Sequence, residues 1–282
     1  MVISLPYGLA AQTVDGIPPV KSYTSFLSSL DKDNFDNLYA GIQYFKSHMV
    51  DLPQTDVDSA CQAFMTFFFA TISHHNDQLW EDYDLISRFH DDQGRREPDI
   101  RNYIDALRRN GLDLFTFGRL YYIDQQSEFL YRNFTRYVSP AVRYYLALRS
   151  EELAEGFSDN DSLTITFRQV GERVIRWEQY RQQYPASVVS DYADYYYQLY
   201  LSTYVTGLKL SPVFDDQGSL RSELSTVYHE FASRHPESQA GFIVKEFYRI
   251  LQVADFKWSP AVRHFYERRR IRNMHIAQVP YR

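Results

Sequence analysis

The sequence predicts an all-α protein of about eight to ten helices, arranged as two pseudo-repeated helical units in a helical-repeat or bundle architecture. Three observations predict it. Gly and Pro number only 11 each among 282 residues, and scarce punctuation favours long helices over many short strands. Apolar residues recur at helical spacing in nearly every long segment. Two words occur twice in the same order. Asp-Asp-Gln-Gly stands at Asp91–Gly94 and Asp215–Gly218, and Ser-Pro-Ala-Val-Arg at Ser139–Arg143 and Ser259–Arg263.

The elements follow in order. Leu38, Ile42, Phe45 and Met49 mark one face of a first helix, which Pro53 ends. Gln54-Thr55-Asp56 opens a second, whose run from Ala63 to Ile72 is apolar almost all round and therefore reads as buried on most sides. Pro98 initiates a helix carrying Ile100, Ile104 and Leu107. A further helical region is expected from about Leu114 to Arg136, and Ser139-Pro140 starts the next. From the polar start Ser158–Asp161 the programme begins again. Val170, Val174, Ile175 and Trp177 lie on a helix running to Pro185. Ser187 opens a tyrosine-rich helix through Val205, in the place of the first half's phenylalanine-rich one. Leu224, Val227 and Phe231, then Phe242 to Val253, then Ser259-Pro260 mark the last three.

The repeated words lie at offsets of 124 and 120 residues, and the helix-ending prolines Pro53 and Pro185 at 132. Offsets this similar, in the same order, point to duplication with loop insertions. The expected organisation is an N-terminal apolar arm or export-signal remnant over residues 1–23, a first helical unit over 24–150 and a second over 155–282, packed as one compact body. The words themselves read structurally. Ser caps a helix and Pro follows at its first position, whereas Asp and Gly suit a turn.

A formal charge of −6 argues against non-specific nucleic-acid binding. No apolar run approaches the length of a membrane span. The single Cys61 excludes an intrachain disulfide and reads as a small core residue. The compartment stays open between cytoplasm and export, because Met1–Gln12 is apolar and ends near Ala10-Ala11 yet lacks a basic start.

Two clusters carry chemistry. His74, Asp77 and Glu81 share one helix face at i, i+3 and i+7, with His75 beside them, a donor set suited to zinc or another divalent metal. The matching stretch of the second half, Thr206, Gly207 and Lys209, has no such donors. Near the C-terminus, Arg263, Arg268, Arg269 and Arg270 form a basic run suited to an acidic partner. The stretch from Phe89 to Pro98, with its Asp pair followed by paired Arg, and the second Asp pair at Asp215-Asp216, are superficially similar to the isoprenoid synthases. That resemblance implies magnesium held by the Asp pairs over an aromatic cavity. Unlike that family, neither pair is followed by a third carboxylate one turn on. The expected function is a non-enzymatic helical-repeat protein that binds a protein or peptide partner and needs no cofactor. The alternatives are a metal-dependent enzyme centred on the His74–Glu81 helix and an aromatic-cavity ligand binder.

Overall fold

The computed structural model describes residues 18–91, 94–117 and 120–272. Helix makes up 67% of the described residues, in twelve α-helices, so the all-α class holds. Most of the expected N-terminal arm, residues 1–17, lies outside the described residues. The chain divides into two compact units, residues up to 115 with 121–143, and residues 116–120 with 144 onward.

The first unit is built on one long helix. Its order is α1 (Pro19–Ser29), α2 (Asp36–His48), α3 (Gln54–Glu81), α4 (Tyr83–His90), a 3-10 turn (Gly94–Arg96), α5 (Pro98–Arg109), β1 (Leu112–Phe117), β2 (Leu120–Gln125) and α6 (Phe129–Phe134). Helices α1 and α2 pack on α3. The apolar run of α3 is buried, and its rings interlock. Phe64 lies 6.0 Å from Phe68 and 5.0 Å from Phe134, and Phe68 stacks on Phe129 at 5.3 Å. Gly41 lets α2 approach closely. A Cβ there would sit 3.0 Å from both the Leu27 side chain and the Phe64 ring.

The segment from Leu114 to Arg136 departs from the expected helix. It is a β-hairpin followed by the short α6. Burial along β2 alternates, with Tyr121, Ile123 and Gln125 inside, which is the period of a strand. The reason lies far along the chain, on α3. The Asn76 side chain donates to the Ile123 carbonyl at 2.8 Å and accepts from the Ile123 N–H at 2.7 Å, pairing with β2 as a neighbouring strand would. Trp80 Nε1 donates to the Tyr121 carbonyl at 3.0 Å.

Helix α7 (Pro140–Glu155) carries the chain onward. The second unit then holds α8 (Phe167–Gln183), α9 (Ser190–Thr206), α10 (Ser222–Arg234), α11 (Gln239–Val253) and α12 (Pro260–Arg269). Helix α8 packs along α9, and α10 along α11. The expected helix start at Ser158 is instead a small hairpin, β3 (Ser158–Asp159) with β4 (Ser162–Leu163). Asn160 and Asp161 sit at φ of 48° and 60°, the left-handed pair that a two-residue hairpin turn requires and Asn and Asp tolerate. A second such hairpin, β5 (Gly207–Leu208) with β6 (Ser211–Pro212), follows α9. Gly207 ends α9 at φ 74°, where a Cβ would stand 2.2 Å from the Ser211 carbonyl oxygen.

The core of the second unit carries a buried ionic network. Glu152 is 2% exposed, yet it accepts from Trp177 Nε1 at 2.7 Å, Tyr200 Oη at 2.9 Å and Arg149 at 2.7 Å. Arg173, equally buried, donates to Glu155 at 2.9 Å, the Gly156 carbonyl at 2.7 Å and Tyr200 Oη at 3.3 Å. Arg149 also lies 3.8 Å over the Tyr196 ring.

The repeated words do matching local work. Ser139 and Ser259 each accept at Oγ from the N–H of Val142 and Val262, both at 3.4 Å, and Pro140 and Pro260 open α7 and α12. In the other word the first aspartate of each copy closes a turn. Asp91 Oδ2 accepts from the Gly94 N–H at 3.0 Å, and Asp215 Oδ1 accepts from the N–H groups of Gln217 at 3.0 Å and Ser219 at 2.8 Å. Asp92 and Gln93 lie outside the described residues. Between the two words the halves differ in content. The first carries α5, the β1–β2 hairpin and α6; the second carries α10 and α11.

Candidate functional site

The helix pair α11–α12 holds the most distinctive surface of the second unit. The start of α11 is tightly fixed. Ser238 Oγ accepts from the Gly241 N–H at 2.8 Å, and the buried Glu178 carboxylate accepts from the Gln239 and Ala240 N–H groups at 2.7 and 2.8 Å. A carboxylate at a helix N-terminus satisfies unpaired donors and meets the positive end of the dipole. Gly241 is required there, because a Cβ would stand 1.8 Å from the His235 carbonyl oxygen. From that anchor Ile243, Val244, Phe247 and Leu251 point inward. Phe247 stacks on Phe265 of α12 at 5.1 Å.

The outward face of α11 breaks the amphipathic rule. Phe242 is 60% exposed and Val253 is 89% exposed, and they share their face with Lys245 and Arg249 at helical spacing. Between α11 and α12 runs an open groove of about 480 Å³. Phe242, Ile250 and Ala261 give it an apolar lining, and Lys245, Arg249, His264, Arg268 and Arg269 a cationic one. Glu246 is the acid in the lining. It binds Arg268 through one oxygen and Arg269 through the other, with Arg269 Nε at 2.8 Å. The Arg269 guanidinium also lies 5.5 Å from the centre of the Phe242 ring. Glu246 thus holds two arginines in place over an exposed aromatic. Lys245 and Arg249 have no carboxylate partner among the described residues, so their charge faces solvent.

Of the four arginines the sequence singles out, Arg268 and Arg269 line this groove. Arg263 is exposed on α12 outside the lining, and Arg270 ends the helix in the left-handed conformation at φ 54°. The run of arginines did not reveal Phe242, Lys245, Arg249 and His264. A helical wheel carries their signal, since Phe242 and Val253 stand opposite the inward face of α11.

The His74–Glu81 set disperses. His74 Nε2 lies 2.6 Å from Asp33 Oδ1, and Gln78 donates to the same oxygen at 2.7 Å. His75 is 5% exposed and packs on the Phe35 ring at 4.0 Å, with its Nε2 unpaired. Burial, then the His74 charge, lower the His75 pKa below the ordinary histidine value. Asp77 and Glu81 are exposed. Among the described residues no three His, Cys, Asp or Glu side chains converge to hold a metal ion. The polar end of α3 instead pins its surroundings, with His74 and Gln78 on Asp33, Asn76 on Ile123 and Trp80 on Tyr121. No helix among the described residues is long and apolar enough to cross a membrane.

The chain matches no protein-family model, no curated protein and no solved structure.

Proposed function

We propose that this chain is a non-enzymatic partner-binding protein whose α11–α12 groove receives an acidic segment of another protein carrying an apolar anchor. The observation that carries this reading is an exposed phenylalanine, Phe242, framed by Lys245 and Arg249, which have no carboxylate partner among the described residues. An apolar floor inside a charged rim is the anatomy of an interface, with the anchor giving affinity and the rim giving steering and specificity. Covering the Phe242 ring is worth about 1.5–3 kcal/mol. The clamp of Glu246 on Arg268 and Arg269 lowers the ordering cost of meeting a carboxylate. The chain as a whole is acidic, at −6, so this basic groove selects by local field rather than by net charge. We further infer that the two halves descend from one helical unit. The matching roles of Ser139 with Ser259, and of Asp91 with Asp215, support that origin.

The test is fluorescence anisotropy with a labelled peptide of glutamates around a central leucine. Saturable binding is expected, weakened about tenfold by Phe242→Ala and abolished by Lys245→Glu with Arg249→Glu. A lysine-for-glutamate version of the peptide should not bind. Undiminished binding to the charge-reversed variant overturns the reading.

A further inference from the structure

The first unit has a second basic groove, independent of α11 and α12. It measures about 540 Å³ and is bounded by α2, the end of α5, the turn after β2, and α6. Its lining joins Tyr39 and Ile42 to the side chains of Arg108, Arg109, Ser127 and Arg132. Arg108 is held by Asp113 at 3.2 Å. Arg109 and Arg132 are exposed and have no carboxylate partner among the described residues. Glu128 is the acid in the lining.

The walls are rigid. The Gln126 side chain donates to the carbonyls of Arg108 and Leu112, both at 3.0 Å, and its N–H donates to the Gly111 carbonyl at 2.8 Å. Gly111 is at φ 78°, and the Phe129 ring lies where a Cβ would stand, 2.0 Å away. These contacts lock the end of α5 to the start of α6. Arg109 and Arg132 therefore rise from fixed backbones into one groove. Behind them Lys46 donates to Asn133 Oδ1 at 2.9 Å. Burial, then the Arg136 charge, lower the Lys46 pKa below the ordinary lysine value.

We propose that this groove binds a phosphomonoester, its phosphoryl group between Arg109 and Arg132 and its apolar or aromatic body against Tyr39 and Ile42. Two guanidinium forks match the several oxygens of a dianion better than a single carboxylate. Tyr39 is 58% exposed and offers a ring face to the body of the ligand. The ligand is either a free organic phosphate or a phosphorylated side chain of another protein; the chemistry is the same.

The test is an NMR titration of the full chain with phenyl phosphate, inorganic phosphate, benzoate and a short phosphotyrosine peptide. Phenyl phosphate should shift resonances of Tyr39, Arg109, Ser127 and Arg132. Its affinity should fall at least fivefold in Arg109→Gln and in Arg132→Gln. Arg101→Gln, an exposed change on α5 outside the groove, should match the wild type. Tighter binding of the peptide than of phenyl phosphate identifies a protein source, and the reverse identifies a small molecule; both uphold the site. Benzoate or inorganic phosphate binding as well as phenyl phosphate overturns the proposal. So does binding that neither substitution weakens, or no binding at all. Because none of these residues belongs to α11 or α12, failure here leaves the partner-binding groove standing.

Discussion

Helices α3 and α9 each carry the aromatic load of their unit, and they carry it with different chemistry. The rings of α3 are phenylalanines, and they meet other phenylalanines such as Phe129 and Phe134. Those rings carry no polar atom to satisfy, so the phenylalanine cluster is held by area and fit. The rings of α9 are tyrosines, and each buried hydroxyl needs a partner. Tyr200 donates to Glu152 at 2.9 Å and Tyr204 to the Val227 carbonyl at 3.4 Å, while the buried Tyr197 hydroxyl has no partner among the described residues. Glu152 in turn needs cations, and Arg149 supplies one. The choice of tyrosine over phenylalanine therefore comes with a buried ionic network. A hydrocarbon core loses stability in proportion to what is removed. A network of buried charges fails when one member leaves.

The largest expected effect tests that contrast directly. Glu152→Ala strands the buried guanidinium of Arg149, the Trp177 N–H and the Tyr200 hydroxyl, and should cost about 3–5 kcal/mol in denaturant unfolding. Phe68→Leu in the other core keeps its burial and most of its volume, and should cost only about 1 kcal/mol. Equal costs would break the comparison. Glu152→Gln sharpens it, since the amide keeps an acceptor for Trp177 while losing the charge that holds Arg149.

A middle-sized effect concerns a polar side chain that ties α3 to β2 in the first unit. Asn76→Ala removes both bonds to Ile123 and leaves a strand N–H and carbonyl unpaired near the end of α3. The expected loss is about 1–3 kcal/mol, accompanied by faster amide exchange in β2. Unchanged exchange at Ile123 would show that the hairpin stands without α3.

Asn76 also explains what the sequence did and did not disclose. Local signals were readable. Ser139 and Ser259 announce helix starts because a cap needs a hydroxyl and the next position tolerates proline. The burial of α3 was readable because its apolar run covers every face. The β1–β2 hairpin was not, because its aromatic and apolar residues fit either period, and the deciding bond comes from a side chain 47 positions away. Arg149 and Glu152, spaced i and i+3, look like an ordinary solvated pair. Only packing with Trp177 and Tyr200 buries them. The α11–α12 groove was half visible. The arginine run marked α12, but Glu246, which organises it, sits 22 residues before Arg268. His74 meets Asp33, 41 residues earlier, a partner that the local helical spacing does not announce.

The smallest expected effect is a pH dependence belonging to the first unit. His75 is the ionisable group packed against Phe35, and its neighbours are His74, Asp33 and the Lys32 backbone. Burial, then the His74 charge, lower its pKa in the folded state. The unfolded chain therefore takes up the proton first as pH falls. The stability contributed by neutral His75 is complete above the ordinary histidine value of about 6.5 and is lost as the pH drops below it. Asp33 acts in a lower window. Hydrogen bonds from His74 and then Gln78 hold its carboxyl below the usual range, so its contribution persists until the pH falls under about 4. Denaturant midpoints measured from pH 7.5 to 5 should decline gently in the wild type and less steeply in His75→Leu, where the lowered His235 of the second unit still contributes. A wild-type midpoint that is level or rises over that range would mean that His75 is protonated inside the fold.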